Sequence, residues 1–400
     1  MDTVAPEISQ LFSEFHNFTI ANIISDDDIY SKSMQPTSVF RWSGQFPGGL
    51  AGVLLDRHSQ KGDVILDPFA GSGTVLFEAA ARSLECVGID INPAAAALSE
   101  TVLFCNLNHR VRDAYLNKLY SIVKKLIDSF DKQTKAGGKF TTNDYSLIKH
   151  KINSTKDPHL RNLLINVLMR LSISAEKYTS TGLMKSFEIH SKIIKGLPYS
   201  SKRCKVFNSD ARELQLESGS VDLIITSPPY PGVFDYYKNY KKIMYLAGWP
   251  ISETSKNEIG HGKGTGNKFL DIINYANDMN KALVEMRRVL KDDGRLILIL
   301  NHESEIKNIR FQSSGLLYAI ATADPGLQMV MRQERHFKSR SGADIQEDIL
   351  HFIPSDHRFK THNCYPAEAA AYFLEKAMPS SDIQSRKLLK DALNASIQLL

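Results

Sequence analysis

Apolar positions along this chain fall into two kinds of pattern. Short unbroken runs closed by turn residues occur at Val64-Ile65-Leu66, at "CVGID" ending in Asp90, and at Val221 to Ile225; another follows the turn at Asp293-Gly294. Runs of this length suit strands buried on both faces of a parallel sheet. Between them apolar residues recur at helical spacing. Leu50 to His58 and Val75 to Ser83 read as helices, and "YANDMNKALVEMRRVL" carries the stripe Met279, Leu283, Met286, Leu290. "KVFNSDARELQ" predicts a third strand ending at Ser209-Asp210, and "GLQMVMRQERHF" with "DIQEDILHFI" predicts an antiparallel pair that closes the sheet. Strands alternating with helices predict an α/β fold with a doubly wound, mostly parallel sheet.

The same patterns divide the chain. Residues 1–36 give a helix (Glu7 to Phe15) and a polar linker containing "SDDD". Residues 37–105 and 201–355 hold the two halves of the α/β unit, 356–400 form a helical tail, and 106–200 are a helix-rich insertion. Charge is uneven across these pieces. The chain carries a net +5, yet between Arg110 and Lys205 there are 20 Lys and Arg against 7 Asp and Glu. The remainder holds 29 against 37. A basic block on an otherwise acidic protein points to a polyanionic partner, although a solvated helical surface would look the same.

Composition narrows the class further. With 42% apolar and 23% charged residues the chain is of ordinary globular make-up. It has no apolar run near the roughly 18 residues of a membrane span, and "MDTVAPEISQLF" has no basic start leading into an apolar core. Cys86, Cys105, Cys204 and Cys364 are far apart and form no CxxC pair. Neither a metal site nor a disulfide framework is expected, and a reducing cytoplasm fits.

Candidate chemistry sits at two strand ends. In "VILDPFAGSGTVLFEAA" the loop Asp67-Pro68-Phe69-Ala70-Gly71-Ser72-Gly73-Thr74 joins strand to helix. Its glycines let backbone approach a ligand closely, and the helix start offers free amide donors. Asp90, ending the next strand, can accept from two ribose hydroxyls. The spacing departs from GxGxxG and contains no GK(S/T), so the loop favours a nucleoside without phosphates over a dinucleotide. The second site is "VDLIITSPPY". Proline fixes φ and removes amide donors, so Pro228-Pro229 makes a rigid ledge of carbonyl acceptors flanked by Ser227 and Tyr230. Such a ledge suits a planar ring bearing an NH2 group. "YYKNYKKIMYLAGW" and "GHGKGTGNKF" follow, interleaving aromatic with basic residues as a nucleic acid would need. A helix with a buried aromatic stripe and solvated lysines fits the first segment equally well.

Taken together, "DPFAGSGT" and "SPPY" in this order resemble the cofactor loop and catalytic motif of the DNA amino-methyltransferases, the cytosine-N4 and adenine-N6 enzymes. "RWSGQFPGGL" and "RVLKDDGRLILIL" are similar to two further segments of that family. The resemblance implies a seven-stranded Rossmann-like methyltransferase sheet with S-adenosylmethionine as cofactor. It places Arg41, Trp42, Asp67, Phe69, Ala70, Gly71, Gly73 and Thr74 around the methionine end, with Asp90 on the ribose. Ile91 would pack on the adenine and Asp210 would accept from its amino group. Ser227, Pro228, Pro229 and Tyr230 would hold a target base flipped out of double-stranded DNA. Tyr236, Tyr237, Lys238, Lys241 and Lys263 would contact DNA near the pocket, with Lys124 and Lys125 on the insertion.

Serine as the first ledge residue leans, within this family, toward cytosine N4. Carbon-5 methylation would need a nucleophilic cysteine in a Pro-Cys motif, and the chain has none. The expected function is therefore amino-methylation of DNA of the restriction-modification or phage-defence kind, with a partner endonuclease as a corollary. Adenine-N6 methylation, RNA base methylation and an inactive nucleic-acid-binding subunit are the alternatives. Against the family pattern, the sizeable extra segment is the basic insertion, not a region following the ledge.

Overall fold

A computed structural model describes residues 5–21, 24, 46–173, 178–231, 236–250, 257–260, 266–323, 325–338, 342, 344–355, 365–379 and 381–397. The apolar runs become β1 (Val64–Asp67), β2 (Glu85–Ile89), β3 (Cys204–Phe207), β4 (Val221–Thr226) and β5 (Leu290–Asn301). A small hairpin, β6 (Ser304–Ile306) and β7 (Ile309–Phe311), follows, and then come β8 (Leu327–Lys338) and β9 (Asp344–Pro354). The main sheet has the order β3-β2-β1-β4-β5-β9-β8. Strands β3 to β5 in that order are parallel neighbours, and β9 runs against both β5 and β8. Order reverses between β1 and β4, which opens a crevice at their carboxyl ends.

Alternate residues of each strand enter opposite cores. Ile65, Leu223, Ile225, Ile297 and Ile299 face one side, whereas Leu66, Ile224, Leu296 and Leu298 face the other. Both sides are apolar because both are covered, as the unbroken runs require. The second face is covered by α1 (Ala5–Asn17) and by C-terminal helices that include Lys268–Val289 and Tyr365–Ala377.

The first face carries α2 (Gly48–His58), α3 (Thr74–Ala81) and α4 (Pro93–Ser99). Insertion helices α5 (His109–Ser129), α6 (Lys132–Lys135), α7 (Thr142–Ser154), α8 (Pro158–Ile173) and α9 (Ser180–Gly196) extend it. Buried side chains of α5, α7, α8 and α9 join the same core as the sheet residues. The insertion is thus continuous with this face. Asn166 Nδ2 donates to the Ala97 carbonyl at 2.8 Å, fixing α8 on α4. The buried Arg112 guanidinium is satisfied by carbonyls alone, including Phe104 at 2.8 Å and Pro198 at 2.6 Å.

Two sequence expectations shift, and the cysteines add a long-range contact. Strand β3 ends at Phe207, not at Asp210, because the Asn208 side chain turns back to donate to the Asp90 and Ile91 carbonyls at 2.8 and 3.0 Å. The Asp293-Gly294 turn is absorbed as a bulge: Val221 pairs with Leu290 and Leu223 with Arg295. The cysteines, distant in sequence, converge, since Cys86 and Cys204 are register partners on β2 and β3; both are buried free thiols. No described helix is long and apolar enough to cross a membrane.

Candidate active site

Strand β1 delivers Asp67 to its carboxyl end, and the loop that follows folds onto β2. The Ala70 N–H donates to the Ile89 carbonyl at 2.9 Å and the Gly71 N–H to Asp90 Oδ2 at 2.9 Å. Gly71 and Gly73 both adopt positive φ, 53° and 85°. A Cβ on Gly73 would lie 3.0 Å from Ser99 Cα, so this glycine permits the loop to dock against α4. Gly71 lines the cleft, whereas Gly73 sits behind its wall.

The cleft lies between the β1 loop, the β2 end and the β4 ledge. Its walls bring together Asp67, Phe69, Ala70, Gly71, Thr74, Asp90, Ile91 and Asp210 with Ser227, Pro228, Pro229 and Tyr230. The sequence reading missed Phe46, Asn92, Glu258 and Ile259, which also line it. Asn92 had a signal: Asn-Pro after a strand-ending acid is a helix start, and its Oδ1 accepts from the Ala94 N–H at 2.9 Å. Its amide donates to Glu258 Oε1 at 2.7 Å, joining the β2 end to a segment distant in sequence. Glu258 follows no periodic pattern, so nothing local marked it.

Arg41, Trp42 and Lys263 fall outside the described residues. Tyr236, Tyr237 and Lys238 open α10 (Tyr236–Ala247), which starts beyond the ledge. The structure does not bring Lys124 and Lys125 into the cleft; they are exposed on α5. Tyr240, Ile243 and Met244 of α10 are fully buried, so the stripe behind the ledge is largely core.

The electrostatics of the cleft are one-sided. Four carboxylates, Asp67, Asp90, Asp210 and Glu258, line it, and among the described residues no Lys, Arg or His does. Asp67 is 2% exposed; Thr226 Oγ1 donates to it at 2.6 Å and the Phe69 N–H at 3.1 Å. Burial outweighs these bonds and pushes its pKa up to about 7. Burial likewise raises Asp90 to about 6, against donors from the Asn92 and Gly71 amides. Asp210 is engaged differently: Arg212 grips both its oxygens and bridges to Asp278 at 2.8 Å. Ser72 Oγ is buried, on the cleft wall, and has no hydrogen-bond partner.

At the ledge, Ser227 Oγ and the Tyr230 hydroxyl are 3.3 Å apart. Burial, and then the nearby Glu347 carboxylate, raise the Tyr230 phenol above its usual range, so it stays neutral. Glu347 is paired with Arg335 at 2.8 Å across β8 and β9.

These features fit S-adenosylmethionine. Its sulfonium and ammonium are cationic, which a wall lined by four carboxylates favours. Its ribose diol can meet Asp90, and the unpartnered Ser72 hydroxyl can serve its polar groups. No described cluster of three or more His, Cys, Asp or Glu could hold a metal.

Comparison with known proteins agrees. A family model described as DNA methylase, for the N6/N4 methyltransferases, matches residues 11–101 and 221–376. The two matched segments flank the insertion. The type II methyltransferase M.MjaII of Methanocaldococcus jannaschii is 21% identical over 421 aligned positions, spanning 74% of this chain and 77% of its own. Among solved structures, a Methanosarcina mazei SAM-dependent methyltransferase aligns with 12% identity, 76% of this chain, 97% of its own and a TM-score of 0.34. A putative RNA methyltransferase from Pyrococcus horikoshii aligns with 10% identity, 88% and 99% coverage and a TM-score of 0.33. The fold itself is read from the strand order above. Well over half of the sequence matches the family model, and the chain belongs to the N6/N4 DNA methylase family, a family of S-adenosylmethionine-dependent methyltransferases.

Proposed function

We propose that this enzyme methylates the exocyclic N4 of cytosine in DNA, taking a flipped base at the Ser227–Tyr230 ledge. The observation that carries the reading is that Asp90 and Ser227 wall one cleft. A nucleoside-bearing cofactor at the first and an amino group at the second would meet across it. When bound, S-adenosylmethionine supplies an electrophilic methyl group. The work of the chain is then positioning. The lone pair of an aromatic amine is delocalised into its ring. Ser227 Oγ and the Pro228 carbonyl, accepting from the NH2, would draw nitrogen toward sp3 and direct the lone pair at the methyl. Tyr230 would stack on or border the ring, held neutral by its burial. Asp67, Asp90 and the Gly71 loop would bind and orient the cofactor, and no covalent intermediate on the protein is needed.

The choice of cytosine over adenine rests on the family resemblance: serine as the first ledge residue leans toward cytosine N4, where aspartate leans toward adenine N6. The Ser227 hydroxyl itself can accept from the amino group of either base. The relative from Methanocaldococcus jannaschii, a type II methyltransferase by name, supports a restriction-modification role; a cognate endonuclease in the same cytoplasm would be its corollary.

Nucleoside mass spectrometry of genomic DNA from cells expressing the chain tests the reading. N4-methylcytosine is expected. N6-methyladenine instead would overturn the base assignment, and the absence of both, with modified RNA, would overturn the DNA assignment.

A further inference from the structure

The insertion is dense in cations that the fold leaves without counter-charges. Among the described residues, Lys124, Lys125, Lys139 and Lys149 make no ion pair. Three acids of this segment are used elsewhere. Asp144 is fully buried and closes a capping box with Thr141. Asp131 accepts from Thr141 Oγ1 at 2.5 Å. Asp157 caps α8 through the Leu160 N–H at 3.0 Å and accepts from the Tyr115 hydroxyl at 3.1 Å.

One part of this surface follows the ledge in sequence. Helix α10 begins six residues after Tyr230 and has 12 residues, about 18 Å of length. It is bound to the insertion along its course. Lys242 Nζ lies 4.1 Å from the Tyr145 ring and 4.0 Å from the Tyr178 ring, and it donates to the Tyr145 hydroxyl. The Arg161 guanidinium donates to the Ala247 carbonyl at 3.0 Å. Beside this junction Tyr245 is 59% exposed, with Lys149 Nζ 4.3 Å from its ring, and Lys139 is exposed.

We infer that α7, the turn at Lys139 and the outer face of α10 form one platform for the DNA backbone flanking the flipped base. This rests on the DNA reading above. Lys139 and Lys149 contact phosphates, and Tyr245 offers a ring to the sugar-base edge. Lys242, enclosed by two tyrosines, has another part. It is a positioning residue that fixes the ledge helix to the platform, so that strand and pocket stay in register.

The test uses the full chain and a mixed-sequence DNA duplex, with affinity measured across a salt series. Each lost phosphate contact removes about 0.9 from the slope of log affinity against log salt. Lys139→Gln with Lys149→Gln should therefore flatten the slope by nearly twice that and weaken binding to all sequences alike. Cofactor affinity by calorimetry and sedimentation should stay as in the unmodified protein, which certifies folding. An unchanged slope, or a changed oligomer size in its place, overturns the platform. Tighter salt-dependent binding to an RNA duplex than to DNA overturns its assignment to DNA. If the unmodified protein neither binds nor methylates DNA, the underlying reading fails. If it does both and the slope is unmoved, only the platform fails.

Discussion

Two regions of this protein concentrate charge of one sign, and they differ in sign and depth. The cleft at the ends of β1 and β2 gathers carboxylates, with no cation among the described residues of its walls. The insertion spreads lysines over an outer surface with few acids to meet them. Elsewhere opposite charges are matched: Arg82 bridges Asp56 and Glu78, Arg288 holds Glu285, and Arg332 holds Asp348. Burial sets the cost. An exposed lysine is hydrated and costs little, whereas Asp67 and Asp90 titrate near pH 7 and 6 because ionising them in the cleft is expensive. The deep region should therefore respond sharply to one substitution, and the shallow one weakly to each of many.

The largest effect is expected at the ledge, where the cleft meets the target. Ser227→Ala removes an acceptor that acts on the reacting nitrogen. Its kcat should fall on the order of 100-fold, as for loss of one preorganised polar group at a reacting atom. Cofactor affinity should change little, since Ser227 faces the target side. Single-turnover methylation beside calorimetry checks this, and parallel loss of both in a folded variant would make the ledge structural.

Asp90→Ala should come next. A charged acceptor for two ribose hydroxyls contributes about 1.5–3 kcal/mol, or roughly 10- to 150-fold in the cofactor dissociation constant. The same carboxylate also accepts from the Gly71 and Asn92 amides. Asp90→Asn, which keeps an acceptor, should recover part of the loss. A dissociation constant unmoved by either substitution removes Asp90 from the site.

A third effect follows from the raised pKa values. A cationic ligand prefers Asp67 and Asp90 ionised, so binding it lowers both pKa values and releases protons. Affinity should then increase with pH up to about 7 and level off above. Below both values it should fall by up to about tenfold per pH unit for each group that must ionise. Calorimetry near pH 6.5 in buffers of different ionisation enthalpy should register proton release. Proton uptake, or none, would show that the carboxylates do not face the cation.

Much of this was legible in the sequence because it is local. Strand runs, the loop "DPFAGSGT" and the ledge are contiguous segments whose residue types dictate their conformation, and the structure closes one cleft around them. What was missed is long-range. Glu258 reaches the cleft through Asn92, far away in sequence. The space that Gly73 frees is occupied by Ser99, a packing contact that no local pattern marks. The aromatic-basic run after the ledge left two readings open, and α10 shows the core one in part: Tyr240 and Met244 are buried while Tyr245 is exposed. Periodicity alone could not say which face the insertion would cover.

The smallest effect marks where the basic surface stops mattering. Lys124 and Lys125 lie on α5, which packs against α7, α8 and α9 and so stands behind the helices nearest the ledge. Exposed charges more than about 8–10 Å from a phosphate are largely screened at physiological salt. Lys124→Gln with Lys125→Gln should therefore weaken DNA binding less than the same change at Lys139 and Lys149, and should leave the salt slope nearly as it was. The two double variants remove equal charge. Any difference between them therefore measures position, and net attraction between a basic protein and a polyanion cancels. Equal flattening by both pairs would extend the DNA footprint across the whole insertion. Equal small shifts in affinity with no change of slope would reduce the insertion to a diffuse field that speeds encounter without contact. A larger effect at Lys124 and Lys125 would move the footprint to α5 and away from the ledge helix.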